Sequence, residues 1–127
     1  MKKNRDIEYL VCSAIHFDNG IEANNPHRPR NIKTGIVFMG LRHCNCYDLM
    51  YSWSRLLLNN GLYIDSNFTL IETMNKVKEI FGKYHKIEGF LSNHNNFYNR
   101  EEALKIAKKV GQVETTISRE LTSEDLW

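Results

Sequence analysis

The 127-residue chain has little of what marks many common functions. It has only two prolines, so no polyproline linker or collagen-like tract is present. Three cysteines make an odd and small set, which excludes the disulfide framework of a small secreted domain. No run approaches the roughly 18 apolar residues of a membrane helix. The basic start "MKKNRDIEY" is not followed by the apolar core of a signal peptide. These absences predict an intracellular, reducing setting and no membrane partner. Charge of neither sign dominates: 17 Lys and Arg stand against 15 Asp and Glu, a net of +2. That argues against the broad basic field by which DNA- and RNA-binding proteins gain affinity. No repeat and no linker divides the chain, and its length suits one domain, residues 1–127.

What is present is a folding composition, 42% apolar and 11% aromatic. "IEYLVCSAIHF", residues 7–17, is rich in β-formers and reads as a buried strand. "DNG" at 18–20 signals a turn, and residues 21–31 read as a loop carrying His27, Arg28 and Arg30. "TGIVFMG", residues 34–40, predicts a second strand. Asn45, with Asp48 three residues on, resembles a capping box and predicts a helix over about 46–59. Leu49, Trp53, Leu56 and Leu57 form one apolar stripe on it; Tyr47, Tyr51 and Leu58 form another. A helix apolar on two sides is covered on two sides, one of them by a second subunit in so small a domain. Thr69 and Glu72 predict the start of a helix ending at Gly82; "KIEGFL" predicts a short strand and "SNHNNFYN" a loop. Asn99 and Glu102 open a last helix with Ala103, Ile106, Ala107 and Val110 on one face and Gly111 at its end. The expected class is α+β: a small antiparallel sheet built from the N-terminal strands, packed with about three helices.

"GLRHCNCYDLMYSWSRLLL", residues 40–58, is the chemically densest stretch. Cys44 and Cys46 are one residue apart with no second pair, whereas structural zinc sites space ligands by two to four residues and need four. No metal and no cofactor is expected. His43 has no nucleophile and orienting acid in a recognisable arrangement, so no catalytic residue is assigned. A third reading is an anion site. A helix starting near Asn45 turns its free amides and positive dipole end toward Arg42 and His43, and Arg42 adds a planar donor fork suited to phosphate. A solvated arginine at a helix start is the plainer reading, and the residues alone leave both open.

Residues 89–112 form the second such stretch. Phe90 and Phe97 offer stacking surfaces, Ser92 and Asn93 offer polar edges, and Arg100 sits in the first turn of the last helix. Aromatics for a base, amides for its edge and an arginine for phosphate make a nucleotide pocket. An Asn-rich turn with Phe97 in the core would use the same residues.

The ordered set of these features resembles a known family. It comprises an opening strand, Arg42-His43 at a helix start, Gly89-Phe90-Leu91-Ser92, Phe97, Arg100, Glu102-Ala103, Ile106-Ala107, Gly111-Gln112 and the closing "LTSEDLW". From about residue 7 onward the chain resembles the Thoeris anti-defence sponges of bacteriophages. That resemblance implies a protein that binds a cyclic ADP-ribose isomer, the Thoeris alarm signal, without degrading it, in the cytoplasm of the host bacterium. It implies homodimers with pockets near the subunit interface. Some members assemble into hexamers and hold cyclic oligonucleotides at separate sites. The ligand-binding set it implies is Arg42, His43, Phe90, Ser92, Asn93, Phe97, Arg100 and Gln112. Cys44 stands where many relatives have a second histidine, Ser92 where threonine is common, and residues 61–86 are extra length.

Overall fold

The computed structural model describes residues 7–59, 70–116 and 119–127. Four strands and three helices follow in the order β1 (Leu10–Glu22), β2 (Thr34–Gly40), α1 (His43–Asn59), α2 (Leu70–Phe81), β3 (His85–Ser92), β4 (Phe97–Asn99) and α3 (Arg100–Lys109). A 3-10 turn, Ser123–Asp125, lies near the C-terminus. The strands form one antiparallel sheet in the order β2-β1-β3-β4. The fold is α+β.

β1 is the spine, because it pairs with β2 on one side and β3 on the other. The strand continues beyond residue 17, to Glu22. The "DNG" segment does not end the strand; it forms an irregularity between Phe17 and Glu22. Asp18 Oδ1 accepts from the Gly20 amide at 2.9 Å, Asn19 Oδ1 accepts from the Ile21 amide at 2.9 Å, and Gly20 has a positive φ of 74°. These local bonds replace the ladder bonds that the strand loses there. Likewise β4 interrupts the predicted loop "SNHNNFYN": Phe97 and Tyr98 pair with Leu91 and Phe90 across a turn in which Asn95 adopts a φ of 59°.

Side chains alternate across the sheet. One face carries Ile15, Phe17 and Phe38, against which Cys46 and Met50 of α1 and Val77 and Phe81 of α2 pack. Farther along the same face, Phe90 packs with Ala103 and Ala107 of α3 and with Leu121. On the opposite face the β1–β2 connection folds back so that Ile32 covers Ala14, Leu91 and Phe97.

α1 starts three residues earlier than its capping signal suggests. Asn45 is the third helical residue, and its Oδ1 reaches back to the Arg42 amide at 3.1 Å. The buried face of α1 is His43, Cys46 and Met50, with Tyr47 and Tyr51 beside it. Leu49 and Trp53, the described members of the first apolar stripe, remain 45% and 41% exposed. Thr69, the expected cap of α2, lies outside the described residues, as do the side chains of Leu56, Leu57 and Leu58. The Asn99–Glu102 capping box of α3 is present in full.

Candidate functional site

The starts of α1 and α3 come together beside β3. α1 leaves β2 at Gly40 and α3 follows directly on β4, two strands on opposite edges of the sheet. His43, the first residue of α1, is 7% exposed and turns inward over β3. Its Nε2 lies 2.8 Å from the Gly89 carbonyl, and its ring meets Phe90 edge-on at 5.2 Å. Arg100, the first residue of α3, places Nη2 3.5 Å from His43 Nδ1 and 3.3 Å from Glu88 Oε2. The carbonyl only accepts and the guanidinium only donates, so the two partners define the imidazole: neutral, with its proton on Nε2. Burial holds the His43 pKa below its ordinary 6.5, and the charge of Arg100 acts the same way; the Gly89 bond and Glu88 oppose it.

The C-terminal segment closes this cluster. Arg100 Nη1 donates to the Leu121 carbonyl at 2.7 Å, and Arg42 Nη2 donates to the main-chain oxygen of Trp127. The Trp127 ring stands 6.3 Å from Phe90. Arg119 holds the segment with two bonds to Asp125, at 2.6 and 2.8 Å, and keeps that carboxyl well below the usual carboxylate range. Arg100 thus donates to the neutral Leu121 carbonyl while also facing the Glu88 carboxylate, and Arg42 donates to a main-chain oxygen of Trp127. The amides of His43 and Cys44, at the first two positions of α1, have no acceptor within the helix. The Asn45 amide already donates to the Arg42 carbonyl at 3.0 Å. The amides left free at this helix start are thus those before Asn45 rather than after it.

Of the residues singled out from the sequence, the fold brings Arg42, His43, Phe90 and Arg100 together. Phe90 is fully buried, so it offers the site only the wall on which His43 and Trp127 rest. Phe97 lies on the opposite face of the sheet, 5% exposed and edge-on to His16 at 5.7 Å. Asn93 and Gln112 hold the first strand: Asn93 bonds the Tyr9 amide and the Ile7 carbonyl, and Gln112 bonds both the amide and the carbonyl of Leu10. Ser92 donates to Glu8 at 2.6 Å. Burial opposes the charge on Glu8, but bonds from Ser92, Asn96 and Tyr98 and the nearby His94 outweigh it and lower its pKa.

Glu88, Leu121 and Trp127 belong to the cluster without having been singled out for it. Glu88 had a signal, a lone carboxylate inside the apolar strand "KIEGFL". The cysteines stay apart from this chemistry. Cys46 is buried with its thiol pushed up to about 12 by burial, and Cys44 is exposed. Among the described residues no three His, Cys, Asp or Glu side chains are grouped as a metal would need.

An arginine pair, a neutral histidine and a tryptophan around two helix starts is a geometry for holding a ligand, and the sequence that builds it has relatives. Residues 9–127 match the family model described as the phage T4 y16D protein. The chain belongs to that phage protein family. The match covers every strand and helix and the whole Arg42–His43–Arg100 cluster. Comparison with curated proteins and with solved structures gave no match. Among the described residues, no helix of this family member is long and apolar enough to cross a membrane.

Proposed function

We propose that this protein is a phage anti-defence sponge that binds and sequesters a cyclic ADP-ribose isomer, acting as a homodimer in the host cytoplasm without degrading the ligand. The observation that carries the reading is the convergence of Arg42 and Arg100 on the start of α1, beside His43 and Trp127. A diphosphate needs two donor forks and helix-start amides, and a base or ribose needs an aromatic wall. The state of His43 supports holding over proton transfer. Its one proton is committed to Gly89 and its lone pair to Arg100. Membership of a phage family fits the setting.

On this reading the ligand phosphates take the places of the Leu121 and Trp127 main-chain oxygens on the two arginines. Glu88 and His43 then act as positioning residues that keep the Arg100 fork aimed. Ser92, Asn93, Phe97 and Gln112 act on the site through the strand and the β3–β4 turn that they secure.

The test is calorimetric titration of the full chain with cyclic ADP-ribose isomers, followed by heat release and chromatography of the ligand. Tight binding and return of intact ligand are expected. Altered ligand would show a nucleotide-processing enzyme instead, and no retention of any isomer would sink the sponge reading and favour a protein-binding module.

A further inference from the structure

We propose that the pocket between α1, the end of α2 and the start of β3 binds a small phosphate monoester that carries a flat ring. The pocket has a volume of about 280 Å³ and shares no residue with the Arg42–Arg100 cluster. Small-molecule sites run from roughly 300 to 1,000 Å³, so this one suits a single ring system with one anionic group rather than a dinucleotide.

Its walls follow from the local sequence. Tyr47 and Tyr51 stand one turn apart on α1 and so share a face. Lys78 and Phe81 lie in the last turn of α2. That helix end satisfies its own carbonyls: the Gly82 amide donates to Lys78 O at 2.8 Å and the Tyr84 amide to Phe81 O at 3.1 Å. Lys86 stands opposite Phe17 in the β1–β3 register, on the sheet face that α1 and α2 cover. The floor is apolar. Phe17, Met50 and Phe81 line it, with Phe17 and Phe81 edge-on at 5.0 Å and Tyr84 edge-on to Phe81 at 5.5 Å.

The polar groups around that floor are all donors. Lys86 Nζ donates to the Tyr47 hydroxyl at 3.0 Å and stands 5.4 Å from the centre of that ring. A hydroxyl that accepts one bond still has its own proton to give. The Tyr47 bond raises the Lys86 pKa, so the ammonium stays charged. Burial raises the Tyr51 pKa, and Tyr47 acts the same way, so that phenol stays protonated. Among the described residues the Tyr51 and Tyr84 hydroxyls and the Lys78 ammonium have no hydrogen-bond partner. No Asp or Glu is among the described residues that line the pocket. Two ammonium groups and three O–H donors with no fixed negative charge complement a phosphate dianion. The tyrosine faces and the apolar floor complement a ring, which a bare inorganic anion would leave wet.

This inference is independent of the sponge reading, since it is tested without cyclic ADP-ribose. Fluorescence titration of the full chain with naphthyl phosphate should show saturable binding, and neutral naphthol should bind at least roughly tenfold more weakly, the worth of a charged hydrogen bond. Lys86→Met keeps the stem and loses the charge. It should weaken naphthyl phosphate binding by about tenfold with an unchanged circular dichroism spectrum. Tyr51→Phe should weaken it by a smaller factor. Arg42→Ala should bind naphthyl phosphate like the parent, because Arg42 belongs to the other cluster. No saturable binding, or equal binding of naphthol, overturns the proposal. Loss of binding in Arg42→Ala with parental affinity in Lys86→Met also overturns it, since the phosphate then sits at the Arg42–Arg100 cluster. If Lys86→Met does not fold, Lys78→Met at its exposed position takes its place with the same expectation.

Discussion

Arg100 Nη2 sits 3.5 Å from His43 Nδ1, while the opposite nitrogen of that ring binds the Gly89 carbonyl at 2.8 Å. An arginine against a histidine is repulsive only if the histidine is charged. Here the arginine meets a lone pair, so the pair is compatible and pH-sensitive.

The first prediction follows from that pair. The folded His43 pKa lies below its ordinary 6.5, so the unfolded chain takes up this proton first. The His43 contribution is complete above about pH 6.5 and is lost as pH falls below it. His43→Gln keeps a donor for Gly89 and removes the titration. Thermal melts should show the parent losing more Tm than His43→Gln between about pH 7 and 5. Parallel losses would remove His43 from the account.

Arg42 is exposed and makes only one tail contact among those described. Arg42→Ala should therefore leave the fold intact and weaken cyclic ADP-ribose binding by about ten- to a hundredfold, or roughly 1.5–3 kcal/mol. Arg42→Lys should recover part of it, because it keeps the charge and loses the fork. Cys46→Ser should leave affinity unchanged. Calorimetry of the three variants checks this, and parental affinity in Arg42→Ala would refute the anion reading of this helix start.

Gln112 pairs with both main-chain polar groups of Leu10, whose side chain is 2% exposed. Gln112→Ala strands those groups and should cost about 1–3 kcal/mol, several degrees of Tm. Asn93→Ala should cost less, since its bonds to Tyr9 and Ile7 are exposed. Paired melts and titrations separate the roles. A variant with parental Tm but lost affinity would make that amide a direct ligand contact.

Gly89 faces the β4 main chain so closely that a Cβ would collide with the Tyr98 carbonyl and stand 2.9 Å from Phe97 Cζ. Gly89→Ala should push β4 away, disturb the carbonyl that holds His43, and lower both stability and ligand affinity. Overpacking of this kind costs roughly 1–3 kcal/mol. An alanine variant with unchanged Tm would show that β4 is free to shift.

Much of the secondary structure was legible because its signals are local. β2 falls on the predicted residues 34–40, and α3 begins at the Asn99–Glu102 box, since both depend on neighbours a few positions apart. The "DNG" and "SNHNNFYN" segments were misleading for the same reason. Their turn chemistry is real, but long-range pairing with β2 and β3 absorbs it into a bulge and a fourth strand.

Residue type alone determined that Arg42, His43 and Arg100 have the chemistry to hold an anion, because charge and donor geometry belong to the side chain. Only the tertiary structure decided which groups meet. Arg42 and Arg100 are 58 positions apart and converge because α1 and α3 start beside the same strand, β3. Phe90 and Phe97 are alike in sequence, yet residues seven apart across a hairpin point to opposite faces, one under His43 and one under Ile32. Leu49 and Trp53 read as one of two covered faces of the helix. They face outward because the sheet takes the His43–Cys46–Met50 face, and sheet position is set by pairings that no local pattern records.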